Sequence, residues 1–115
     1  MYERREFPRR DVRKLPLRVV IKLQGTSLIK KEEARIVEIE TEPINLSEGG
    51  ICLKLHGDAA WQTVHSRELD LSIERKDRRK SFRTRIAFRE DDGKILGLQF
   101  KKPFTDMAVF LGSNG

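Results

Sequence analysis

Apolar and polar residues alternate with period two along most of this chain, the pattern of strands with one buried and one wet face. Leu17, Val19, Ile21 and Leu23 fall on one face, with Arg18 and Lys22 on the other. Val37 and Ile39 alternate with Glu38 and Glu40; past Pro43 the parity switches, and Ile44 and Leu46 become the apolar pair. A proline at such a switch predicts a bulge or an edge. Ile51, Leu53 and Leu55 form the next alternating set, then Leu69, Leu71 and Ile73. Phe82, Thr84, Ile86 and Phe88 follow, set against Arg83, Arg85 and Arg89, and Leu96, Leu98 and Phe100 close the series. Between the last two, Asp92-Gly93 within Glu90–Lys94 predicts a tight hairpin. A short helix suits only the tail, with Pro103 or Thr105 near its start, Met107, Phe110 and Leu111 on one face, and Gly112 at its end. About six antiparallel strands, with no helices to cover two sheet faces, predict an all-β barrel or sandwich whose interior these apolar sets fill.

Length and composition narrow the picture. At 115 residues the chain is expected to form one domain with one modest core. Apolar and charged residues each make up 37%, polar for a globular domain yet outside the disordered class. No apolar run approaches the roughly 20 residues of a membrane span, and Met1-Tyr2-Glu3-Arg4-Arg5 lacks the apolar heart of a secretory signal, so the expected compartment is the cytoplasm. Cys52 is the single cysteine, with no disulfide or metal-ligand partner. His56 and His65 stand in no nucleophile–base arrangement, and no HExxH, P-loop or GxGxxG pattern occurs. The expectation is a protein without catalytic residues, metal or cofactor.

Net charge is +6, which favours an anionic partner. The first 18 residues carry seven Arg or Lys against three acidic residues. A second basic group, Arg75, Lys76, Arg78, Arg79 and Lys80, lies in a loop-like stretch. Two segments combine this charge with suitable chemistry. In Arg4-Arg5-Glu6-Phe7-Pro8-Arg9-Arg10, guanidinium forks match phosphate oxygens and the O6/N7 edge of guanine. Alone, the run reads as well as a solvated basic tail. In Asn45-Leu46-Ser47-Glu48-Gly49-Gly50, Asn45 and Ser47 share the strand face opposite Ile44 and Leu46, and the glycines permit positive φ and close approach of a ligand to the backbone. Alone, it reads as well as a turn held by local Asn and Ser bonds.

Together, in this order and on a chain with this strand count, the segments carry a resemblance. Arg5-Glu6-Phe7-Pro8-Arg9 resembles the RxxxR motif of PilZ domains, Asn45-Leu46-Ser47-Glu48-Gly49-Gly50 is similar to their (D/N)xSxxG motif, and Gly97-Leu98-Gln99-Phe100 looks like their closing strand. The resemblance runs from Arg4 to Phe100. It implies a six-stranded antiparallel β-barrel of split-barrel type, 15–112, with a flexible N-terminal arm, 1–14, and a short C-terminal helix. It also implies a cytoplasmic receptor for the bacterial second messenger cyclic di-GMP. Carried over, Arg5 and Arg9 grip phosphate and guanine, Asn45 and Ser47 bond the ligand from the barrel face, and Gly50 keeps the turn open. Arg4, Arg10 and Gly49 are auxiliary contacts, with Arg4 at the position that influences whether one ligand or a stacked pair binds. The arm orders on the ligand and signals to a protein partner, with no membrane involved. Two alternatives are a basic barrel binding single-stranded nucleic acid, the less expected partner, and a PilZ-like docking adaptor without ligand.

Overall fold

The structure, a computed structural model, describes residues 8–25, 35–63 and 66–112. Its elements are β1 (Arg10–Asp11), β2 (Arg18–Gly25), β3 (Arg35–Ser47), β4 (Gly50–Lys54), α1 (Ala59–Gln62), β5 (Glu68–Arg75), β6 (Arg78–Glu90), β7 (Ile95–Phe100) and α2 (Met107–Leu111). The sheet runs β1-β3-β2-β5-β6-β7-β4, and β3 also pairs with β4. That extra pairing joins the ends: β2 to β7 form a closed six-stranded antiparallel barrel, with β1 as a short flap on β3.

Closure rests on two long strands. β3 and β6 each have 13 residues, more than twice the β4 length of 5. The first part of β3 pairs with β2 and the last part with β4, and the register slips between Pro43 and Asn45. The predicted bulge is there: proline has no N–H for the ladder, and the extra residue bends the strand around the barrel. β6 does the same on the far side, pairing with β5, slipping between Ile86 and Phe88, and continuing along β7.

This second bulge corrects the sequence reading. Alternation put Phe88 in the interior with Phe82, Thr84 and Ile86. After the slip Phe88 pairs with Gly97, whose β7 neighbours Leu96 and Leu98 are the buried ones, so Phe88 stands on the outer face, half-buried. The same slip turns Arg89 inward, opposite Leu96 at the barrel mouth. There its Nη2 donates to the carbonyls of Thr63 and Ser66, both at 2.8 Å, tying down the chain that leaves α1. Arg75–Lys80, read as loop-like, is a tight hairpin whose turn has Lys76 at φ 56°, and Arg78, Arg79 and Lys80 belong to β6.

The core holds the expected apolar sets, with Val19, Ile21, Leu46, Leu53, Leu71, Ile73 and Leu96 all at 1% exposure or less. One end is plugged by aromatics: Phe82 stacks on Phe100 at 4.3 Å, Phe104 meets Phe82 at 4.8 Å, and Phe110 of α2 meets Phe104 at 5.4 Å. The expected C-terminal helix is present, burying Met107, Phe110 and Leu111 and ending at Gly112, φ 85°. The basic hairpin fastens it. Arg75 donates to the Leu111 carbonyl, Arg78 to the Val109 carbonyl at 3.3 Å, and Lys80 pairs with Asp106 at 2.8 Å. Arg75 and Arg78 also suit the negative, C-terminal end of the helix.

Candidate functional site

Antiparallel register places opposite residues on the same face, so the pairings read out the outer surface row by row. In one row Asp11 faces Asn45, Asn45 faces Cys52, Cys52 faces Gly97, and Gly97 faces Phe88. In the next, Ser47 faces Gly50, Gly50 faces Gln99, Gln99 faces Arg85, and Arg85 faces Glu68. Asn45 and Ser47 are thus neighbours on the outer face of β3, opposite the buried Leu46, as the alternation predicts.

β1 brings the end of the arginine segment, Arg10, to the same strand. Arg10 pairs with Leu46 and Asp11 with Asn45, and the Val12 amide donates to the Ile44 carbonyl at 3.1 Å. Val12 is fully buried, so the chain is anchored in the core from this point. Arg9 immediately precedes Arg10, and continuing the register by one residue would set it opposite Ser47. Its charge is felt at Cys52: burial pushes that thiol above its ordinary value, and Arg9 pulls it partly back while Glu90 adds to the rise. Arg9 and Arg10 are exposed, and among the described residues neither lies in an ion pair. The nearby carboxylate is otherwise engaged. Arg13 donates to Asp11 from Nε at 3.0 Å and Nη2 at 2.6 Å, which holds the Asp11 carboxyl down at about 2. Arg4 and Arg5 lie outside the described residues.

The second motif folds into a two-residue hairpin, Ser47 to Gly50. The buried Ser47 hydroxyl accepts the amides of Gly49 at 3.1 Å and Gly50 at 3.2 Å. Its own proton has only the Gly50 carbonyl at 3.5 Å, a distance too long for a firm bond, so it stays available as a donor. Asn45 is half-buried, and among the described residues its amide has no hydrogen-bond partner. The Asn45 amide thus offers a donor and an acceptor on this face, beside the largely buried Ser47 hydroxyl.

The glycines do something other than expected. Among the described glycines, positive φ occurs at Gly57, Gly93 and Gly112 and not at Gly49 or Gly50. Gly50 answers to packing instead: a Cβ there would stand 2.3 Å from the Leu98 carbonyl oxygen of β7. Gly97 is equally constrained, since a Cβ would stand 2.0 Å from the Phe88 ring. Phe88, Gln99 and Arg85 beside the motif were not foreseen. Their polar or apolar parity was readable, but which strand lies beside β4 depends on how the barrel closes.

A closed six-stranded β-barrel carrying a short N-terminal flap beside a Ser–Gly hairpin defines the class of fold. The family model of the PilZ domain matches residues 3–108, nearly the whole chain. The chain belongs to the PilZ family, whose domains are ligand-binding receptors for cyclic di-GMP rather than enzymes. No curated protein matches it closely. Among the described residues no three His, Cys, Asp or Glu gather as metal ligands, and no helix is long and apolar enough to cross a membrane.

Proposed function

We propose that this domain is a cytoplasmic cyclic di-GMP receptor that holds its ligand between the arm and the β3–β4 hairpin and passes the resulting change to a protein partner. Arg5 and Arg9 supply guanidinium forks for phosphate and guanine, with Arg4 and Arg10 beside them. Asn45 and Ser47 supply neutral donors and acceptors from the barrel wall, and Gly49 and Gly50 leave that wall low. The observation that supports the reading is the register of β1 on β3, Arg10 opposite Leu46 and Asp11 opposite Asn45, which, continued by one residue, sets Arg9 opposite Ser47. Because Val12 is locked in the core, ordering by the ligand is confined to the residues before Arg10, within the arm 1–14, and the ordered segment forms the new surface for the partner.

The nucleic-acid reading has less support. A phosphate-tracking face needs free cations, yet Arg79 is paired with Glu74, Arg83 with Glu68 and Asp70, and Arg75, Arg78 and Lys80 hold α2. Titration calorimetry separates the two. Cyclic di-GMP binds wild type, and Arg9→Ala weakens binding at least ~10-fold, the value of one charge-assisted bond. Salt-sensitive binding to random single-stranded DNA, with none to cyclic di-GMP, would reverse the assignment.

A further inference from the structure

We infer that Arg85, presented by Gln99, is a further ligand-binding residue that holds the half of cyclic di-GMP remote from the arm; this rests on the receptor reading above. The row containing Ser47 and Gly50 continues through Gln99 of β7 to Arg85 of β6. With Arg9 set opposite Ser47 at its other end by the continued β1 register, the row runs from arginine to arginine across four strand spacings, on the order of 19 Å along the surface. Two long side chains reaching inward from those ends leave a span suited to a flat compound with a guanine at each end and two phosphates between.

Arg85 differs from Arg79 and Arg83 of its strand, and from Arg78 and Arg89, which donate to backbone carbonyls of α2 and of the chain leaving α1. Arg79 and Arg83 each donate to carboxylates, at 3.0 Å to Glu74 and at 2.9 Å to Asp70. Arg85 is exposed, and its bond among the described residues is from Nη2 to the neutral Gln99 Oε1 at 2.6 Å. Glu68 is next in the row, but its carboxylate takes Lys101 at 2.6 Å and Arg83 at 3.1 Å, contacts that hold its pKa down. The Gln99 bond draws the Arg85 guanidinium toward β7 and the hairpin while leaving its charge unneutralised. Gly50, which lies in the same row and carries no side chain, does not obstruct its path to a ligand on β4. A guanidinium steered by a neutral amide keeps its remaining N–H groups for phosphate or the guanine edge.

The test is calorimetric titration of cyclic di-GMP into wild type, Arg85→Ala, Arg85→Lys and Arg79→Ala, with thermal melts of each unliganded protein. Arg85→Ala is expected to bind about tenfold or more weakly. Arg85→Lys recovers only part of this, because the fork is lost. Arg79→Ala, the same charge change on the same strand, binds within about twofold of wild type. Arg85→Ala or Arg85→Lys binding like wild type would overturn the inference, as would equal losses in Arg85→Ala and Arg79→Ala. If wild type itself fails to bind, the receptor reading falls first, so the two failures are told apart.

Discussion

Gly50 and Gly97 face each other's strands on the same outer wall, yet they are glycines for different reasons. At Gly50 the obstacle is backbone, the Leu98 carbonyl, which no rotamer change can move. At Gly97 it is a side chain, the Phe88 ring. Alanine at either position is expected to cost about 1–3 kcal/mol by overpacking. The two separate in a double-mutant cycle followed by urea denaturation. In a Phe88→Ala background the penalty of Gly97→Ala falls toward nil, while that of Gly50→Ala persists. Equal penalties in both backgrounds would mean that Phe88 does not lie over Gly97, and with it that the β6 bulge is misplaced.

The hairpin that carries Ser47 is tied to more than its own strands. The Gly49 carbonyl accepts the Phe100 amide at 2.9 Å, and the Glu48 carbonyl accepts the Phe104 amide at 2.8 Å. Phe104, at 1% exposure, leads directly into α2 and packs between Phe82 and Phe110. The ligand-facing turn and the C-terminal plug are thus neighbours through two backbone bonds and one aromatic ring. Phe104→Ala is expected to lower stability by about 3–5 kcal/mol in chemical denaturation, the cost of an emptied aromatic site. A loss below about 1 kcal/mol would show that the plug is not part of the core.

The barrel as a unit was largely legible, because a strand with one buried face must alternate and this chain alternates in six places. Pro43 even announced the bend in β3, since a proline inside a strand forces an irregularity in the ladder. The matching bend in β6 was hidden. Ile86-Ala87-Phe88 continues a perfect alternation, and the slip that turns Phe88 outward depends on Gly97, nine residues beyond it and on another strand. Arg89 was hidden for the same reason, its charge suggesting water while the slipped register sends it to the carbonyls beyond α1. The two motifs were legible as chemistry, but the docking of the chain after the first one beside the second was not. It depends on two paired residues, Arg10 and Asp11, too short a strand to show any period. Arg85 likewise reads in the sequence as one of three arginines on a wet strand face with Arg83 and Arg89, because its neighbours depend on β7 lying between β4 and β6.

In the proposed receptor the arm and the β3–β4 hairpin close together on cyclic di-GMP. Backbone hydrogen exchange across the whole chain, with and without that ligand, tests this closure most directly. Slower exchange is expected in two separated segments at once, the residues before Arg10 and the stretch around Ser47–Gly50, with the buried strand β5 unchanged. Protection in one segment alone, or in neither while the ligand is bound, would contradict the account.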